Sequence, residues 1–226
     1  MKNTQSFLLV LICITFVTFS YGQRKNYKIK NGIGLQGGVT QFDILTDNFE
    51  TKKNSGFTGG MTASVDIPHR WYNVSYNIQL SENNIDILAA DPTTGFDEFV
   101  EYKVFMANIS FLLHVKIIKN NFTLDVGPML QYNGELDLND KSKEGYFING
   151  FNKLLLTEDI RDISNFNANG AIGLSLGVRR LLIRAQYVYG FTNILGNLNK
   201  QDLNTGTKGK FKGNQSLIAL TAMITF

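Results

Sequence analysis

Apolar and polar residues alternate along eight segments of this chain, each about ten residues long. A period of two puts one set of side chains on each face of a β-strand. In the first segment, Ile33 to Phe42, Ile33, Leu35 and Val39 oppose Gly34, Gln36, Gly38 and Thr40. The second, Phe57 to Ile67, sets Phe57, Met61, Ala63, Val65 and Ile67 against Thr58, Gly60, Thr62, Ser64 and Asp66. The same alternation recurs in Trp71 to Ser81, about Glu101 to Ile117, Phe122 to Asn133, Phe166 to Arg179, Leu181 to Asn193 and Ser216 to Phe226. Leu112 interrupts the fourth segment.

A soluble β-sandwich alternates in the same way, so other features must separate it from a membrane barrel. The connections alternate in length. Pro68-His69-Arg70, Ile118 to Asn121 and Arg179-Arg180 are short, whereas about 43–56, 82–100, 134–165 and 194–215 are long. A membrane meander has tight turns on one side and long loops on the other. The polar face is built from Gly, Ser, Thr, Asn and Gln rather than Lys and Glu, which suits the filled interior of a narrow barrel. Tyr72, Phe122, Tyr132, Phe166, Phe191 and Phe226 put aromatic rings at apolar strand ends, where bilayer interfaces hold them. Hydrocarbon leaves a free strand edge without hydrogen-bond partners. The pattern therefore predicts an all-β fold, an eight-stranded antiparallel up-and-down transmembrane β-barrel, with its first strand paired to its eighth.

The N-terminus supplies an export signal in this reading. Lys2 precedes an apolar run from Phe7 to Phe19, and Ser20-Tyr21-Gly22 has the small residues of a cleavage site. Residues 1–22 are assigned to a cleaved signal peptide and 23–226 to one outer-membrane barrel domain. Cys13, the single cysteine, leaves with the signal, which excludes disulfides and thiolate chemistry in the mature chain. Loss of Lys2 leaves 21 basic against 19 acidic residues, too even a balance for a nucleic-acid partner. No stretch beyond the signal has the roughly 18 apolar residues of a membrane-spanning helix.

Several stretches carry a family likeness. Gly34-Leu-Gln-Gly-Gly-Val-Thr40, Val126-Gly127-Pro128, Arg184-Ala-Gln-Tyr-Val-Tyr-Gly-Phe-Thr-Asn-Ile194 and the closing Leu220-Thr-Ala-Met-Ile-Thr-Phe226 resemble strands of the PorT-like, porin-family small outer-membrane barrel proteins. Gln186 stands where that family commonly has Arg, and Asn108-Ile-Ser-Phe111 lacks its usual Pro. The resemblance implies a barrel in the outer membrane of a Gram-negative cell and no single activity. Phe226 looks like the C-terminal signal read by the outer-membrane insertion machinery.

The chemistry-bearing residues are few. Asp66, Lys116, Asp125 and Arg184 fall on the inward face. They form either a charged constriction in a pore or, in a lumen just wide enough for side chains, a buried ion-pair network. An Asp125–Arg184 pair is expected in the second case. His69 and His114 lack an evident nucleophile beside them, so no catalysis is expected. Neither Asp137-Leu-Asn-Asp140 nor Asn204 to Lys210 has the spacing of a calcium or phosphate loop, and no metal or cofactor is expected. Loop 134–165 is the functional candidate, since loops this long are functional or disordered. Its segment 151–163 has the spacing of a short amphipathic helix, offering Phe151, Leu154, Leu155, Ile160 and Ile163 to a partner or as a self-packed cap. The expected partners are outer-membrane lipids and a protein or ligand at the outer loops; the alternative is a narrow channel for small solutes.

Overall fold

The computed structural model describes residues 30–67, 69–118, 121–151, 154–178, 180–203 and 209–226, so the expected signal segment 1–22 lies outside the described residues. The strands are β1 (Lys30–Thr46), β2 (Thr51–Asp66), β3 (Tyr72–Ala90), β4 (Asp97–Ile118), β5 (Phe122–Leu138), β6 (Phe147–Ile148), β7 (Phe166–Val178), β8 (Leu181–Gly190) and β9 (Gly213–Thr225). All pairings are antiparallel. Among the described residues eight long strands form a ring in which each bonds the long strand on either side, and β1 closes on β9 from Gly34↔Thr225 to Thr46↔Gly213. The sheet is therefore a closed up-and-down ring. Its ninth strand, β6, is two residues paired to the end of β3.

The expected outward faces match the exposed sides of all eight long strands. Ile33, Phe57, Ile78, Ile109, Leu130, Ile172, Ile183 and Ile218 are among the exposed apolar residues. Closure at this curvature brings strands very near each other. A Cβ on inward Gly38 would lie 2.0 Å from the Leu220 carbonyl oxygen, and one on Gly127 would lie 1.9 Å from that of Phe111. Neither position admits a larger residue without backbone movement.

Two expected loops are mostly strand. Residues 43–56 reduce to a connection at 47–50, and 82–100 to a turn at 91–96. Here the alternation persists while its chemistry inverts. Glu82, Asp86, Glu101 and Lys103 face outward, and Ile85, Ile87, Val100 and Tyr102 face inward and are buried. At the β3–β4 tip, Asp91 accepts hydrogen bonds from the Thr93 N–H (2.7 Å) and the Thr94 hydroxyl (2.7 Å). Gly95 takes φ +72° there, a left-handed conformation that favours glycine.

Candidate functional site: a polar lumen beneath an apolar cap

The lumen is layered. At the short-turn mouth the Lys116 Nζ donates to Asp66 Oδ1 at 2.9 Å and to the Ile67 carbonyl at 3.4 Å. Further in, four successive strands of the ring, β4, β5, β7 and β8, converge on Asp125, which is fully buried. Its Oδ1 accepts from the Thr123 hydroxyl (2.7 Å) and from His114 Nδ1 (2.7 Å). Its Oδ2 accepts from Arg184 Nε (3.1 Å) and from the Ser175 hydroxyl. The four charged candidates thus come together as two pairs, Asp66 with Lys116 and Asp125 with Arg184. Arg184 is nearly fully buried, so its charge needs this carboxylate.

Register explains the convergence. His114 pairs across from Asp125, and Ser175 from Arg184. A carboxylate only accepts, so the Nδ1 of His114 donates to Asp125, and Nε2 shares a hydrogen bond of 2.7 Å with Ser75 Oγ. Ser75–His114–Asp125 has the same spatial order of groups as a nucleophile, base and orienting carboxylate. The sequence reading missed this pairing because Ser75 and His114 lie 39 residues apart. A usable signal existed: Ser75, His114, Asp125, Ser175 and Arg184 all sit three or four residues from a short-turn strand end. Both Ser75 (2% exposed) and His114 (7%) are enclosed by the ring, and Asn77 Nδ2 also donates to Ser75 Oγ.

Above this layer, amides cross the lumen. Gln131 of β5 and Gln215 of β9 hydrogen-bond reciprocally, and Asn169 Nδ2 donates to Gln131 Oε1 at 2.9 Å. The neighbouring void is about 10 Å³, the room of roughly one water. Asn108 Oδ1 and Gln186 Nε2 belong to residues lining it, and neither atom has a protein partner.

The outer end is closed by an apolar core. Phe42, Ile44, Ile85, Ile87, Tyr102 and Leu136 of the strands pack with loop residues Phe151, Leu155, Ile160, Ile163, Leu198 and Phe211. The expected helix over 151–163 is not formed among the described residues of that segment. Its backbone bonds other elements instead: Ile148 N–H to Leu155 O, Thr157 N–H to Tyr146 O, and Leu136 N–H to Arg161 O. The Tyr102 hydroxyl adds a bond to Thr157 O at 2.9 Å. Four of the five loop-binding candidates, Phe151, Leu155, Ile160 and Ile163, are therefore buried plug residues; only Leu154 is exposed. Apolar side chains beside an apolar mouth are better removed from water than offered to it.

On the outer rim a solvent-facing cleft of about 420 Å³ is lined by Lys103, Asp137, Lys141, Glu144 and Arg161. Arg161 is tied to Asp137 and, at 3.5 Å, to Glu135. Asp140 beside it is held below the ordinary carboxylate range by the Ser142 hydroxyl and then by the Ser142 backbone N–H. Among the described residues no three metal-ligating side chains converge.

Fold and site together define a closed antiparallel sheet with a filled polar lumen, an apolar outer wall and a loop-built plug. No protein-family model and no curated protein sequence matches the chain. Among solved structures it is similar to neisserial surface protein A, with 12% sequence identity and a TM-score of 0.49, over 86% of this chain and 97% of that one.

Proposed function

We propose that the chain is an integral outer-membrane β-barrel protein with a closed lumen, acting through its outer loops as a structural or partner-binding element. One observation carries this reading. Large apolar side chains encircle the lower outer wall, while β1, β3, β4 and β5 turn apolar inward above it. Water disfavours such a belt, and a bilayer requires it. Phe226, exposed on that wall, is the residue for the insertion machinery, and the segment 1–22 is the export signal.

Catalysis is not part of this proposal. The Ser75 hydroxyl is buried inside the ring and held in hydrogen bonds with Asn77 and His114. The charged cleft at Lys103 and Arg161 is the accessible place for a polar ligand or protein partner.

Planar-bilayer recording tests the closed lumen. The purified mature protein is expected to give no steady current, and removal of the cap interior by Phe151→Ala is expected to leave the polar layers still blocking. Reproducible unitary conductance in the wild type would favour a narrow channel and overturn the reading.

A further inference from the structure

The outer wall is not uniformly convex. Between β5 and β8 it carries a trough of about 450 Å³. Its origin is a cross-strand row: outward Gly170 on β7 sits between Pro128 on β5 and Tyr189 on β8. The middle of this row has no side chain, so the flanking ones stand as walls. Gly127 adds to the lining, and Tyr187 and Phe191 extend the Tyr189 wall. The Phe191 ring leans over Gly170, so close that a Cβ there would lie 2.6 Å from it.

We infer that this trough seats a single acyl chain of a membrane lipid. The inference rests on the barrel reading, since it places the trough in the lipid-facing belt. The trough continues that belt: Leu124, Leu130, Leu174 and Ile183 surround it, all outward and apolar in sequence. Its dimensions choose the occupant. The walls stand on strands about 10 Å apart, two inter-strand spacings, and side chains reach in from both. A helix is about 10–12 Å across and does not fit between them. A second copy would bring a convex wall that rests on the aromatic ridge without reaching the glycine floor. A hydrocarbon chain is narrow and flexible enough to lie along β7, and it offers no polar group that the lining would leave unpaired.

The test uses the mature protein in nanodiscs of dioleoyl phosphatidylcholine, released into detergent and weighed by native mass spectrometry. The expected result is a one-to-one lipid adduct that survives when the other lipids are lost. Gly170→Leu fills the floor by turning the Phe191 ring aside and is expected to reduce the adduct at least tenfold. Gly59→Leu, at an outward glycine on β2, is expected to leave it intact. Phe191→Ala, which lowers one wall, serves as a second variant should Gly170→Leu fail to insert, and is expected to weaken the adduct likewise. Insertion is scored independently by heat-dependent gel mobility. An inserted protein with no adduct, or one equal in all variants, overturns the trough and leaves the barrel standing. A dimer dissolved by Gly170→Leu would assign the trough to a second copy and also overturns the proposal. A protein that folds in plain buffer and ignores the nanodisc defeats the barrel reading itself.

Discussion

Strand β3 is two structures on one backbone. From Tyr76 to Ser81, Tyr76, Ile78 and Leu80 face out while Asn77, Gln79 and Ser81 face in. From Glu82 to Ala89 the parity of the backbone continues, but Glu82 and Asp86 face out while Ile85, Ile87 and Ala89 face in. Strand β4 inverts at the same level, with Lys103 bonded to Glu82 at 3.2 Å on the outside and Tyr102, Val104 and Met106 inside. At 19 and 22 residues these strands far exceed the 9–11 needed to cross a bilayer. The lower half is a wall with an apolar outside and a polar filling, which the proposed membrane setting explains as a face on lipid; the upper half is a polar-faced sheet around an apolar core. The difference teaches that the surrounding solvent, not the strand, decides which face is greasy.

The two halves should therefore fail differently. The lower half depends on satisfied charge, and the largest effect is expected there. Asp125→Ala strands Arg184 in the lumen and removes the acceptor of His114, Thr123 and Ser175. Breaking one partner of a buried pair costs about 3–5 kcal/mol. Urea unfolding from vesicles, followed by the single tryptophan Trp71, is expected to show a loss of that size. Asp125→Leu with Arg184→Met should recover part of it, because a neutral pair leaves no orphan charge. A loss under about 1 kcal/mol from Asp125→Ala, the level of an exposed pair, would mean the lower half is not held by this network.

The upper half depends on packing, so a cavity is the way to break it. Leu155 is fully buried in the cap. Leu155→Ala is expected to cost roughly 2–5 kcal/mol locally, and the loss should stay in the cap because loop openings are often independent of the remaining structure. Limited proteolysis is expected to cut within 139–165 while the remaining strands keep their heat-resistant gel mobility. Simultaneous loss of both would show that cap and wall form one cooperative unit.

How much of this was legible follows from the same contrast. The outward faces could be read because one rule, apolar out and polar in, holds along every segment of the lower half. The strand extensions could not: at Ser81–Asn84 the polar set changes face, and a reading that tracks apolar parity takes the switch for a loop. The pairing of Asp125 with Arg184 needed only a shared face and a guess of proximity. Ser75 and His114 needed the register between β3 and β4, which links Asn73 to His114 and places Ser75 beside them. Residues 151–163 carry helical spacing, but tertiary demands override it, since their backbone completes bonds with Tyr146, Ile148 and Leu136. Loop plugs of this kind are set by contacts that local spacing does not encode.

The smallest effect belongs to the tip of the upper half, where solvent screens every interaction. Asp91 is half-buried at the turn, and its carboxyl is held below the ordinary range by the Thr93 backbone N–H and then by the Thr94 hydroxyl. A carboxyl depressed on folding stabilises the turn above its unfolded pKa, about 3.9. That stabilisation is lost as pH falls through the lower folded value. The Thr93 amide resonance, followed by NMR in detergent micelles, is therefore expected to shift with a midpoint below pH 3.9. Asp91→Asn should abolish the shift while leaving the strands intact, because the Gly95 N–H to Asp91 O bond at 2.8 Å uses backbone alone. A midpoint at or above the ordinary value would mean that these bonds do not persist in solution. The β3–β4 tip would then be frayed, and the ordered sheet of the upper half would end short of Ala90 and Asp97.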